Sequence, residues 1–395
     1  MDARNGSNRV VIAWEVGGHL GHLHRCAAVA RIVREAGRDP VVVARDTTRT
    51  REVEGLRDVP VLQAPLPERV QRTWRPPPAS LADVLYMSGF RDPRRLRGRI
   101  DAWRATFDLV DASLVIAEYA PSAVLAARLD GRRVFAMGHG FTLPPRESPL
   151  RPFASASPRE RQRVDRVEQQ VLDRIRRAVG DVPNVPGNLV DLLRTPDDVL
   201  ATVAELDPFP DRDGDEYAGP LLLETRGIDP QWSESGPRVF AYLKASEPHA
   251  RLLFNALHTS GCSARVFCPD AGREMMEKCR GSPIVLSRSP FALAPVLAGA
   301  DTAICHGGHD TLYAALHAGC PVGVLPTQTE QLETAQRVAA FGGGDWGGPK
   351  STQPQCDALL DHVLHSEKPR RHAAAFRAKY RHLRADGRMR ELIDS

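Results

Sequence analysis

Two short segments gather side chains that could do chemistry. The first is Gly17-Gly18-His19-Leu20-Gly21-His22-Leu23-His24-Arg25. Three histidines crowd a glycine-rich loop, and imidazole is the side chain best suited to take up a proton near neutral pH. Such a base works best with a carboxylate on its other nitrogen to stabilise the imidazolium. The second segment is Cys305-His306-Gly307-Gly308-His309-Asp310-Thr311. Its two glycines let the backbone come close to a ligand. A helix starting near Asp310 or Thr311 would offer free N–H groups and the positive end of its dipole, which suits a phosphate or diphosphate. His306 and the Thr311 hydroxyl would add donors. Downstream, Glu330 beside Gln331 sets a carboxylate next to an amide, a pair suited to the several hydroxyls of a sugar.

Strands and helices must position these groups. An apolar run over 9–14 reads as a buried parallel strand, followed by helical periodicity over 26–36, a stop at Gly37 and a second strand over 40–44. This β-loop-α-β opening is the mark of a doubly wound α/β domain. Further strands are expected over 114–117 and 133–136, with a helix over 120–129 between them. A turn-rich break at 206–215 ends the first half, after which the pattern restarts. Strands are expected over 238–243, 265–268, 284–286, 302–305 and 322–325, and helices over 250–258 and 311–318. The Arg-rich stretch 146–176 reads as largely helical, and 369–392 as a charged helix. The expected division is 1–215, a linker over 216–236, 237–365, and a C-terminal helix within 366–395.

The later segment continues with Leu316-His317-Ala318-Gly319-Cys320-Pro321, Pro326 to Gln331, Ala335-Gln336-Arg337-Val338 and Gly342-Gly343-Gly344. This ordered set resembles the nucleotide-sugar signature of family 1 GT-B glycosyltransferases, the plant and bacterial natural-product type. The resemblance implies two Rossmann-like domains facing across a cleft, with the C-terminal helix returning to the first. It implies inverting transfer of a sugar from a UDP- or dTDP-sugar to a small-molecule, lipid or peptide acceptor. His22 would be the general base and Glu118, 96 residues on, its acidic partner; the family usually has aspartate there. His306, Gly307, Gly308 and Thr311 would hold the diphosphate, and Glu330 and Gln331 the sugar. Lys244, Ser287 and Arg288 would also lie on the donor side, and His19, Tyr86, Phe90 and Phe141 on the acceptor side. The chain departs from the family at Ala314, where a glutamate usually holds the ribose hydroxyls. No cofactor or metal is implied. Alternatives on the same architecture are a catalytically inactive partner protein or a nucleotide-sugar epimerase.

Composition narrows the rest. Over 395 residues the formal charge is +4, too small an excess to point to nucleic acid. Only five of the 53 basic residues are lysine, and base composition explains most of that bias; the Arg-rich stretches leave room for peripheral contact with an anionic membrane. The seven scattered cysteines have no zinc spacing, and the histidines of the first loop lack a fourth ligand at metal spacing. Asp211 to Asp215 resembles a calcium loop, but its glycine comes too early and Leu222 stands where a glutamate is needed, so it reads as a solvated turn. No apolar run spans a bilayer, and a cytoplasmic enzyme with reduced thiols is expected.

Overall fold

The computed structural model describes residues 7–18, 20–66, 78–153, 157–180, 182–209, 211–212, 214–221, 226–232, 236–348 and 350–395. The chain divides into two units, Met1–Ala204 with Phe209–Leu223 and Arg384–Ser395, and Glu205–Pro208 with Glu224–Leu383.

In the first unit, strands β1 (Arg9–Trp14), β2 (Asp39–Ala44), β3 (Val61–Gln63), β4 (Ala112–Glu118), β5 (Arg133–Gly138) and β6 (Asp198–Leu200) form one sheet in the order β3-β2-β1-β4-β5-β6. Every pairing is parallel. The helices are α1 (Leu20–Glu35), α2 (Leu81–Leu85), α3 (Pro93–Val110), α4 (Pro121–Leu129), α5 (Pro158–Val179) and α6 (Leu189–Leu193). Residues Val10 to Trp14 are all buried because a parallel sheet is covered on both faces, which is why β1 reads as an unbroken apolar run. Side chains on one face of β1 and β4, such as Val11 and Val115, pack with Trp103 and Phe107 of α3. The opposite face, with Ile12 and Ile116, packs under Leu23 and Ile32 of α1. Only part of 146–176 is helical. Helix α5 begins where Ser157 and Glu160 form a capping box and Pro158 takes the first position, where its missing N–H costs nothing.

The second unit repeats the plan with β7 (Arg238–Tyr242), β8 (Ser263–Phe267), β9 (Ile284–Ser287), β10 (Thr302–Cys305), β11 (Val322–Val324) and β12 (Gly344–Trp346), in the order β12-β11-β10-β7-β8-β9. Its helices are α7 (Ala250–Thr259), α8 (Arg273–Lys278), α9 (Leu293–Ala298), α10 (His309–Ala318), α11 (Thr329–Phe341), α12 (Gln353–His365) and α13 (Glu367–Tyr380). In both sheets the chain reverses its direction of build beside the first strand, between β1 and β4 and between β7 and β10. In open α/β sheets, ligands bind beyond the carboxyl ends of the strands at that reversal.

The terminal stretch 366–395 is not one helix. Helix α13 belongs to the second unit, where Phe376 packs on Tyr313 of α10 and on Phe341. A second helix, α14 (Asp386–Asp394), belongs to the first unit and buries Met389, Leu392 and Ile393 in the same cluster as Leu23 and Ile32. Two separate apolar faces, on Ala373 with Phe376 and on Met389 with Ile393, pull the stretch to different partners. Among the described residues, no helix is long and apolar enough to cross a membrane.

Candidate active site

In the first unit, parallel pairing sets Trp14 at the end of β1 beside Glu118 at the end of β4. The chain after β1 turns through Gly17 into α1, and His22 lies in that helix's first turn. His22 Nδ1 is 2.8 Å from Glu118 Oε2 and 3.0 Å from Oε1. Glu118 is fully buried and His22 is 8% exposed, so the pair is nearly dry. The His22 ring stacks on Trp14, with centroids 5.1 Å apart, and lies 6.4 Å from the Tyr119 ring. The loops after β1 and β4 are tied where the Val16 N–H donates to the Tyr119 carbonyl at 3.0 Å. Gly17 has φ +91°, and a Cβ there would fall 2.1 Å from His22 Nε2. A glycine is therefore required both for the turn and to leave space at His22 Nε2.

A third group completes this cluster and was not singled out in the sequence. Arg25, one helical turn beyond His22, is buried and donates from Nε to Glu118 Oε1 at 2.8 Å. Its Nη2 lies 2.9 Å from His22 Nδ1. Burial pushes the Glu118 carboxyl up, but the charges of His22 and Arg25 outweigh it and hold the group below the ordinary carboxylate range. The i, i+3 spacing of His22 and Arg25 was the available signal, because such residues share a helix face.

In the second unit, β10 ends at Cys305 and the chain enters α10 through His306, Gly307 and Gly308. Gly307 has φ +94°, and a Cβ there would sit 2.9 Å from Val324 Cγ1 and 3.1 Å from the Gln331 carbonyl. Gly308 is exposed with open space around it and precedes the first residue of α10. The amides of the first turn of a helix have no partner within it, an arrangement that, with the positive helix end and the bare backbone of Gly308, suits an anion. His306 is mostly buried and meets Tyr242 of the neighbouring strand β7 edge-on at 5.5 Å. Thr311 is partly exposed in the first turn of α10. Burial pushes the thiol of the adjoining Cys305 up to about 12, so it stays protonated and is no nucleophile.

Glu330 is half-buried in the first turn of α11. Gln331 is buried, and its Oε1 accepts from the N–H and the hydroxyl of Thr327, at 2.9 and 3.0 Å, leaving its amide N–H groups to face other partners. Lys244 is half-buried just past β7, at the same sheet reversal. Ser287 ends β9, the edge strand, Arg288 follows it, and both are engaged locally: the Ser287 hydroxyl donates to the Ser289 carbonyl, and the Arg288 guanidinium to the Ala271 carbonyl. His249, which precedes α7, is buried with neither ring nitrogen hydrogen-bonded to a described residue. An isolated histidine gave no signal for it in the sequence.

The acceptor-side aromatic residues divide. Tyr86 is half-buried against the core. Phe90 is fully buried, with the Arg99 guanidinium 5.0 Å from its ring centroid, so its surface is spent on packing rather than on lining a pocket. Phe141 is likewise buried and stacks on Phe153 at 4.5 Å. His19 lies outside the described residues. Among those described, no three His, Cys, Asp or Glu side chains cluster as metal ligands.

No family model matches the chain. A curated relative, the PGL/p-HBAD biosynthesis rhamnosyltransferase of Mycobacterium bovis (strain BCG / Pasteur 1173P2), is 27% identical over 304 residues, 72% of this chain and 67% of that protein. The solved structure of the glycotransferase of kitacinnamycin superposes with a TM-score of 0.71 at 16% identity, over 98% of both chains. Spinosyn rhamnosyltransferase SpnG complexed with thymidine diphosphate superposes with a TM-score of 0.68 at 15% identity, over 98% of this chain and 100% of that one.

Proposed function

We propose, for a chain that is a glycosyltransferase of the GT-B fold, an inverting transfer of a 6-deoxyhexose such as rhamnose from its dTDP-sugar to a hydroxyl of a small-molecule or lipid acceptor. The observation that carries the reading is the buried His22–Glu118 pair at 2.8 Å, at the sheet reversal where ligands bind. Glu118 accepts the Nδ1–H, which leaves the Nε2 lone pair free to take the acceptor's O–H proton. The acceptor oxygen attacks the anomeric carbon from the face opposite the diphosphate. As the new C–O bond forms, the bond to the leaving oxygen breaks and its electron pair departs with dTDP. The α10 amides, His306 and Thr311 stabilise that charge, so this step needs no metal. Glu330 and the Gln331 amide group bind sugar hydroxyls.

Two considerations support dTDP over UDP. SpnG is described with thymidine diphosphate. Here Ala314 stands where the family usually holds the ribose hydroxyls with a glutamate, and a 2′-deoxynucleotide has one fewer hydroxyl to hold. Calorimetric titration is expected to find dTDP binding more tightly than UDP, with Ala314→Glu narrowing the gap by raising UDP affinity. Tighter binding of UDP by the wild-type protein would overturn the nucleotide assignment.

The assembled base pair favours an active enzyme over an inactive partner protein. An epimerase would need further acids around the sugar beyond Glu330.

A further inference from the structure

Glutamate is one methylene longer than the aspartate usual at position 118, so its carboxylate has more ways to turn away from His22. Arg25 closes that freedom. Its Nε donates to Oε1 at 2.8 Å, while His22 Nδ1 lies 2.8 Å from Oε2 and 3.0 Å from Oε1, so Arg25 holds the carboxylate at the oxygen His22 approaches less closely. All three side chains are buried. We propose that Arg25 is a positioning residue of the transfer: it anchors Glu118 through Oε1 and so holds the carboxylate against His22. This rests on His22 being the general base.

Nδ1 has two possible partners. When Nδ1–H donates to Glu118, Nε2 is open and the base is ready. When an Arg25 N–H points at Nδ1, which lies 2.9 Å from Nη2, the ring proton sits on Nε2 and the base is closed. A carboxylate held ionised favours the first arrangement, and Arg25 contributes to holding Glu118 below the ordinary carboxylate range, after burial and alongside His22. The guanidinium keeps its charge across the working range, so its hold on Glu118 does not change with pH.

The groups facing His22 come from each element around it: Glu118 from β4, Arg25 and Cys26 from α1, Trp14 from β1, and the Tyr119 ring after β4. Burial, with the nearby Glu118 charge, pushes the Cys26 thiol well up, so it adds no charge. That leaves Arg25 as the fixed cation at the pair.

The experiment compares kcat and donor KM for dTDP-rhamnose hydrolysis, with water as acceptor, in wild type, Arg25→Gln, Arg25→Lys and His22→Ala. Arg25→Gln should lose about ten- to hundredfold in kcat through misplacement of the carboxylate, with the donor KM unchanged. Arg25→Lys keeps the charge and loses the fork, so it should recover only part of that loss. A glutamine variant that folds and keeps the wild-type kcat overturns the proposal. If that variant does not fold, the lysine variant decides: reduced kcat at an unchanged donor KM supports the proposal, and wild-type kcat overturns it. His22→Ala separates the two readings. Full activity there removes the general base itself, whereas an inactive His22→Ala beside an unchanged Arg25→Gln refutes only the role of Arg25.

Discussion

His22→Ala is expected to lose roughly 10²- to 10⁴-fold in turnover, the usual worth of a general base, while dTDP affinity stays at the wild-type level. The two effects separate because the proposed base and the proposed anion cradle belong to different sheets. His22 leaves α1 beside β4 of the first unit, and the cradle precedes α10 of the second. The substitution also removes a ring stacked on Trp14 and leaves Glu118 buried with Arg25 as its remaining ionic partner. Some loss of stability accompanies it, so circular dichroism and dTDP titration must show a folded, binding protein before turnover is read. Unchanged turnover in a folded variant would exclude His22 as the base.

Gly307→Ala is expected to weaken dTDP binding at least tenfold and to lower turnover with it. Two costs add at this position. The left-handed φ of +94° is one that residues with a Cβ rarely adopt, and such strain is worth about 1–3 kcal/mol. The added methyl would also meet Val324 Cγ1 at 2.9 Å and the Gln331 carbonyl at 3.1 Å. Relief requires the loop to move, and the loop carries His306 and the exposed amides entering α10. A neighbouring substitution gives the control. At Gly308 a Cβ meets nothing within 4 Å and the backbone is extended, so Gly308→Ala perturbs the fold less and reports instead on how closely a ligand approaches that backbone. Wild-type dTDP affinity in Gly307→Ala, measured by calorimetry, would count against the cradle.

Much of this was legible in the sequence because buried parallel strands leave a plain record. The runs at 9–14 and 302–305 are apolar, end in glycine loops and precede helical periodicity, so their carboxyl ends mark the two candidate sites. Pairing of β1 with β4 then brings Glu118 to His22 across 96 residues, as the family resemblance implied. Other features depend on packing that no local pattern records. Phe90 and Phe141 sit among loop-forming residues, and an aromatic ring in such a stretch has the same sequence signature whether it lines a pocket or enters the core. The stretch 366–395 has continuous helical character, and its division follows from which apolar face finds α10 and which finds α1. No local pattern alone singles out Arg25, because its contact with Glu118 depends on the reach of that side chain from another strand.

The most direct test of the central claim is the anomeric configuration of the sugar first released when the protein hydrolyses dTDP-rhamnose, followed by ¹H NMR before mutarotation. The proposed mechanism is a single displacement, with His22 as the base and dTDP as the leaving group. The first anomer to appear should therefore be inverted relative to the donor, with dTDP formed in equal amount. Release of the retained anomer would contradict the account.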